Sequence, residues 1–238
     1  MAALAVFAER LERRFGGTPV LASVDLTVAA GEIVALLGAN GAGKTTLLRV
    51  LATLIQPSGG RLLLFGEEAR TRAPALMGRL AYVGHESSCY PDLTGPENLW
   101  FFARIFGLPA AEASRRVEEL LAWAGLDGVT HRPVRYYSRG MEQRLALARA
   151  LLHHPDLVLL DEPWTGLDPP AAALLDDRVA ALGAAGRSVV LTTHDVGRVA
   201  RIATRAAILE RGRIAWSGPA TEDGALARAY QTVTGGRA

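Results

Sequence analysis

The sequence predicts an α/β fold, a mixed sheet with an antiparallel β subdomain and an inserted all-helical subdomain. Three observations carry this expectation. The apolar runs Ile33 to Leu37 and Leu157 to Leu160 have the continuous hydrophobicity of strands buried on both faces. Val20, Ala22, Val24, Leu26 and Val28 alternate with Leu21, Ser23, Asp25 and Thr27, the period of two of a half-buried antiparallel strand. From about His85 to His154 the pattern turns helical, with Val117, Leu120, Leu121 and Ala124 at i, i+3, i+4 and i+7.

Taken in order, Met1 to Ala8 reads as a first strand, because it lacks the basic flank and the length of a secretory leader. Phe15, beside Gly16-Gly17, is either a core aromatic or a ring that stacks on an adenine base. The alternating strand ends at the Ala30-Gly31 turn, and the Ile33 to Leu37 strand follows. Leu47, Leu48, Val50 and Leu51 then share one helix face. Pro57-Ser58-Gly59-Gly60 predicts a turn, with strands at Arg61 to Phe65 and Leu80 to Val83. Within the helical insert, Thr94 and Glu97 have capping-box spacing with Pro96 in the first turn. Ser138 is placed to cap a helix running to His153. The core resumes at Pro155, and its Leu157 strand ends in Asp161-Glu162. Ser188 to Thr193 forms a further strand with His194 at its end. A hairpin over Ala206–Leu209 and Arg213–Trp216 and a helical tail from about Glu222 complete the chain. Residues 4–238 thus read as one domain: a core of 1–84 and 155–217, a helical subdomain at 85–154, and a tail at 218–238.

Composition narrows the possibilities. Half the residues are hydrophobic, enough for a sizeable core, yet no apolar run reaches the ~18 residues of a membrane span. The single cysteine, Cys89, excludes an internal disulfide and fits a reducing compartment. With a net charge of +2 and no interleaving of aromatic and basic residues, no nucleic-acid partner is expected. Arg13-Arg14 and Arg115-Arg116 stand near glutamates, as solvated faces do. His131, His153 and His154 lack acidic or cysteine partners at ligand spacing and are expected at the surface.

The densest chemistry lies in Gly38-Ala39-Asn40-Gly41-Ala42-Gly43-Lys44-Thr45-Thr46. A strand precedes this glycine loop and a helix follows it, the context of a phosphate-binding loop. Glycines let main-chain N–H groups wrap an anion, and the helix start adds its positive dipole end. Lys44 is placed for the β- and γ-phosphates and Thr45 for Mg²⁺. Lys44 is also the only lysine against 25 arginines, a compact ammonium where a planar guanidinium would not fit between two phosphates. Two adjacent carboxylates at the end of a buried strand need a cation or another partner; for Asp161-Glu162 this is the same Mg²⁺ or, alternatively, a structural salt bridge.

This ordered set, glycine loop, helical insert, Asp161-Glu162 strand and His194 strand, resembles the ATP-binding cassette ATPases, whose core is a P-loop NTPase. The resemblance covers about residues 5 to 217. It implies that Phe15 stacks on adenine, Asp161 reaches Mg²⁺ through water, Glu162 is the general base and His194 contacts the γ-phosphate. Thr165-Gly166-Leu167-Asp168 matches the segment whose aspartate faces the partner subunit. Tyr137-Ser138-Arg139-Gly140-Met141 matches the signature that faces ATP held by the other subunit. Ser138 and Gly140 keep the family pattern, and Arg139 and Met141 depart from it. His85 stands where the family has glutamine; since Mg²⁺ prefers oxygen ligands, an imidazole there would act through water or in coupling to the membrane partner. The implied assembly is a head-to-tail homodimer on integral membrane permease subunits, peripheral to the cytoplasmic face of the inner membrane, with ATP and Mg²⁺ as cofactors. Trp100, Phe101 and Phe102 either line the permease groove or pack in the core.

Within the family, Gly84-His85-Glu86 and Ser138-Arg139-Gly140-Met141 resemble the ATPase subunit of the haem exporter of c-type cytochrome biogenesis. The alternative is the ATPase of another exporter, for drugs or lipids. A small-molecule kinase would share the glycine loop but has no need of Ser138 or His194. A cassette protein acting on DNA or ribosomes would be expected to show tandem cassettes or coiled coils.

Overall fold

The computed structural model describes residues 3–84, 88–221 and 224–235. Strands β1 (Leu4–Phe15), β2 (Thr18–Ala29), β3 (Ile33–Leu37), β4 (Gly59–Leu64) and β5 (Glu67–Glu68) share the N-terminal third with helices α1 (Lys44–Leu51) and α2 (Ala69–Leu76). After β6 (Leu80–Val83) come α3 (Gly95–Ile105), α4 (Ala110–Trp123) and α5 (Arg139–Ala150). The chain then runs β7 (Leu157–Asp161), α6 (Pro169–Ala184), β8 (Ser188–Thr192), α7 (Val196–Ile202), β9 (Arg205–Glu210), β10 (Arg213–Pro219) and α8 (Ala225–Thr234).

The strands form two sheets. One, β2-β1-β4-β5, is antiparallel; the other runs β10-β9-β3-β8-β7-β6 and is parallel except for β10. All residues of β3, β7 and β8 are buried, which explains their unbroken hydrophobicity. Their alternate side chains serve two cores. Val34, Leu36, Leu157, Leu159 and Val190 pack with α1 and the inward face of the antiparallel sheet. Ile33, Ala35, Leu37, Val158, Leu160, Val189 and Leu191 pack with the helices of the other side. Helix α1 is held between the sheets, against β2, β7 and β8.

Several boundaries differ from expectation. The first strand continues to Phe15, because β1 pairs with β2 and β4 beyond Ala8. The expected turn at Pro57-Ser58-Gly59-Gly60 loses its glycines to β4. Gly60 has φ +79°, and a Cβ there would stand 2.2 Å from the Arg10 carbonyl oxygen; the bulge between Glu9 and Glu12 needs glycine for that close approach. Helix α5 stops at Ala150 rather than His153.

His153 is a correction of a different kind. Its Nε2 donates to the Leu80 carbonyl at 2.8 Å and its ring lies 4.2 Å from that of Phe106, so it ties the helical region to β6. Nδ1 is buried without a partner among the described residues. Burial holds the imidazole below its ordinary pKa, more than the Leu80 hydrogen bond raises it. The unfolded chain therefore binds a proton more readily than the folded one. Stability is fully present above the unfolded pKa of about 6.5 and falls as pH drops below it. Melting temperatures from pH 7.5 down to 4.5 are expected to fall less steeply in His153→Gln; equal slopes would exclude the effect.

The capping box forms as expected. Thr94 Oγ1 accepts the Glu97 N–H at 3.3 Å, and Glu97 Oε2 accepts the Thr94 N–H at 2.8 Å. Thr94→Ala is expected to cost about 1 kcal/mol in urea unfolding.

Candidate functional site

The glycine loop leaves the carboxyl end of β3 and enters α1. Its shape depends on two glycines. A Cβ on Gly38 would lie 2.3 Å from the Leu209 carbonyl oxygen, and one on Gly43 would lie 2.9 Å from that of Val20, each residue having positive φ. Gly43 is also the N-cap of α1, and no side chain caps this end. The first-turn N–H groups therefore face an open cleft lined by Val20, residues 40–46 and Glu162.

The side chains of four elements converge on this loop. Lys44 is 7% exposed; its Nζ donates to the Gly38 carbonyl at 2.7 Å and lies 3.7 Å from Glu162 Oε1. Thr45 Oγ1 donates to Asp161 Oδ1 at 3.1 Å. Asp161, 4% exposed at the end of β7, accepts two more hydroxyl donors: Thr192 at 2.8 Å and Tyr82 at 3.3 Å. Burial, with the Asp161 charge adding to it, pushes the Tyr82 pKa up against the pull of Arg49, so the phenol stays a neutral donor. Glu162 Oε2 lies 3.2 Å from His194 Nδ1, just past the end of β8.

Oxygen donors from Thr45 and Asp161 suit a hard cation. Among the described residues no group of three or more His, Cys, Asp or Glu forms a metal cage. The Thr45 and Asp161 oxygens fit Mg²⁺, which is commonly held by one or two protein oxygens together with phosphate and water.

Lys44, Thr45, Asp161, Glu162 and His194 are thus gathered around residues 38–46. A second group lies at the first turns of α5 and α6. Ser138 caps α5, its Oγ accepting the Met141 N–H at 3.3 Å, and Asp168 caps α6, its Oδ1 accepting the Ala171 N–H at 2.8 Å. A Cβ on Gly140 would meet that of Ala171 at 2.7 Å, so the two helix starts pack closely. Phe15 is not a core residue: it is 45% exposed at the β1–β2 turn, with the Arg13 guanidinium 4.5 Å over its ring. His85 lies outside the described residues. Sequence reasoning missed Tyr82 and Thr192. The available signal was a polar side chain within the apolar strand β6 and another at the carboxyl end of β8.

Parallel strands whose carboxyl ends present a glycine loop, a lysine and two carboxylates define a P-loop nucleotide-binding protein. A family model described as ABC transporter matches residues 21–165, and the chain belongs to that family. It is 42% identical over 204 residues to the Nod factor export ATP-binding protein I of Cupriavidus pinatubonensis, covering 86% of this chain and 63% of that relative. It is 39% identical over 222 residues to the daunorubicin resistance ATP-binding protein DrrA3 of Streptomyces coeruleorubidus, covering 93% of this chain and 70% of the relative. A solved structure described as the ATP binding subunit of an ABC transporter superposes with a TM-score of 0.86 at 29% identity, covering 97% of this chain and 99% of the other. No helix among the described residues is long and apolar enough to cross a membrane.

Proposed function

We propose that this chain is the ATP-hydrolysing subunit of an exporter, working as a head-to-tail pair on a separate integral membrane permease at the cytoplasmic face. The observation that carries it is the gathering of Lys44, Thr45, Asp161, Glu162 and His194 around one glycine loop. In this reading the loop amides and Lys44 bind the β- and γ-phosphates of ATP. Glu162 takes a proton from water, and His194, hydrogen-bonded to Glu162, contacts the γ-phosphate. Thr45 and Asp161 would hold Mg²⁺, which when bound neutralises charge on the phosphate oxygens. Phe15 stacks on adenine; its exposure supports this over a packing role. Ser138 and Gly140 face the nucleotide of the partner subunit, Asp168 faces the partner subunit itself, and residues 85–154 act as a helical subdomain of a single domain.

The names of the relatives bear on the cargo. Two of them are named for Nod factor export and daunorubicin resistance, which favours a lipid-like or drug-like cargo over haem. The haem reading rests on the atypical residues around His85 and Ser138 alone. The permease would dock beside residues 85–93. There Tyr90 and Phe101 stack edge to face at 4.9 Å, and Phe101 is 40% exposed, while Trp100 and Phe102 pack against the core.

The test is ATPase activity of the chain with the integral protein it co-purifies with from solubilised membranes. Magnesium-dependent cleavage, stimulated by Nod factor or daunorubicin rather than by haem, is expected. Failure to bind or cleave ATP with that partner present overturns the reading.

A further inference from the structure

We propose that Thr192 is a positioning residue for Glu162, acting through the Glu162 main chain; the proposal rests on Glu162 being the base.

Strand β7 ends at Asp161, and its parallel register sets Thr192 of β8 directly beside that residue. Thr192 is fully buried. Its Oγ1 donates to Asp161 Oδ1 at 2.8 Å and accepts the Glu162 N–H at 2.8 Å. These roles follow from the chemistry of the partners. An ionised carboxylate only accepts and an amide N–H only donates, so the single hydroxyl hydrogen goes to Asp161 and a lone pair is left for Glu162. The two consecutive acidic residues are therefore tied to one oxygen atom.

The tie falls where the chain leaves the sheet. Glu162 has φ +47°, a left-handed conformation uncommon for a residue with a side chain. Such a conformation persists only where its surroundings over-determine it. Here the Glu162 N–H is captured by the threonine hydroxyl. The turn that follows aims the Glu162 carboxylate between Lys44 Nζ at 3.7 Å and His194 Nδ1 at 3.2 Å. His194 leaves β8 two residues after Thr192. The end of β8 thus holds Glu162 at both its amide and its carboxylate.

Valine has the shape of threonine without the hydroxyl, and serine keeps the hydroxyl without the methyl. Thr192→Val is expected to lower kcat for ATP hydrolysis at least tenfold with KM and the Kd for MgATP changed less than threefold. Thr192→Ser is expected to stay within threefold of the unmodified protein. A Val variant within twofold of the unmodified kcat, or a Ser variant as impaired as Val, overturns the proposal. Should the Val variant fail to fold, Ser and Ala decide, since they leave similar space and differ by the hydroxyl: Ala at least tenfold slower than Ser supports it, and equal rates overturn it. In a Glu162→Gln background the Val substitution is expected to cost less than threefold more, whereas a full multiplicative loss overturns action through Glu162. An unimpaired Glu162→Gln defeats the base assignment and this proposal together. An unimpaired Thr192→Val beside an impaired Glu162→Gln defeats this proposal alone.

Discussion

Glu162→Gln is expected to slow ATP hydrolysis by about 10²–10⁴-fold, the usual contribution of a positioned general base, while MgATP binding persists. The amide matches the carboxylate in size, so the left-handed turn at Glu162 and its N–H bond to Thr192 remain. What disappears is basicity and one negative charge 3.7 Å from Lys44 Nζ. Losing that charge leaves the ammonium more available to phosphate, so nucleotide affinity is expected to hold or rise. ATP that binds and is not cleaved is expected to accumulate in a closed pair of subunits. Phosphate release read beside gel filtration in MgATP checks both parts. Hydrolysis within threefold of the unmodified protein would remove Glu162 from the chemistry.

Lys44→Ala is expected to weaken MgATP binding by roughly 10²-fold or more. Two charge-assisted hydrogen bonds to phosphate contribute about 1.5–3 kcal/mol each, and every 1.4 kcal/mol is tenfold in affinity. Lys44→Arg is expected to rescue little of this. The Lys44 ammonium is buried and already bonded to the Gly38 and Ala39 carbonyls at 2.7 and 3.3 Å, a space fitted to a compact donor rather than a planar fork. Titration with a fluorescent ATP analogue measures the loss, and far-UV circular dichroism establishes that the fold is kept. Unchanged affinity in Lys44→Ala would place the nucleotide elsewhere.

Much of this site was legible because its parts are local. The glycine loop announces itself by spacing, and the strand before it by an unbroken apolar run, since β3 is buried on both faces. Thr94 and Glu97 form their cap within four residues, and the sequence alone shows the pair. What was hidden depends on register and packing between distant segments. Gly59 and Gly60 look like a turn until β4 is laid against the bulge in β1. His153 looks solvated until the Leu80 carbonyl and the Phe106 ring enclose it. The role of Thr192 exists only because β8 stops level with Asp161. In the sequence Phe15 reads two ways, and only its place at an exposed hairpin turn speaks against packing in the core.

The strand order carries a consequence for biosynthesis. β3 is made well before its neighbours in the sheet, β8 and β9, which leave the ribosome only after the whole helical insert. Gly31 donates to the Ser188 hydroxyl across a sequence separation of 157 residues, and such distant pairings form slowly because a long stretch of chain must first be closed. A nascent polypeptide that has emerged only as far as the helical insert therefore carries the whole glycine loop with neither sheet neighbour of β3 in place. The sheet around the glycine loop is thus complete only once the strand ending at Glu210 docks beside β3.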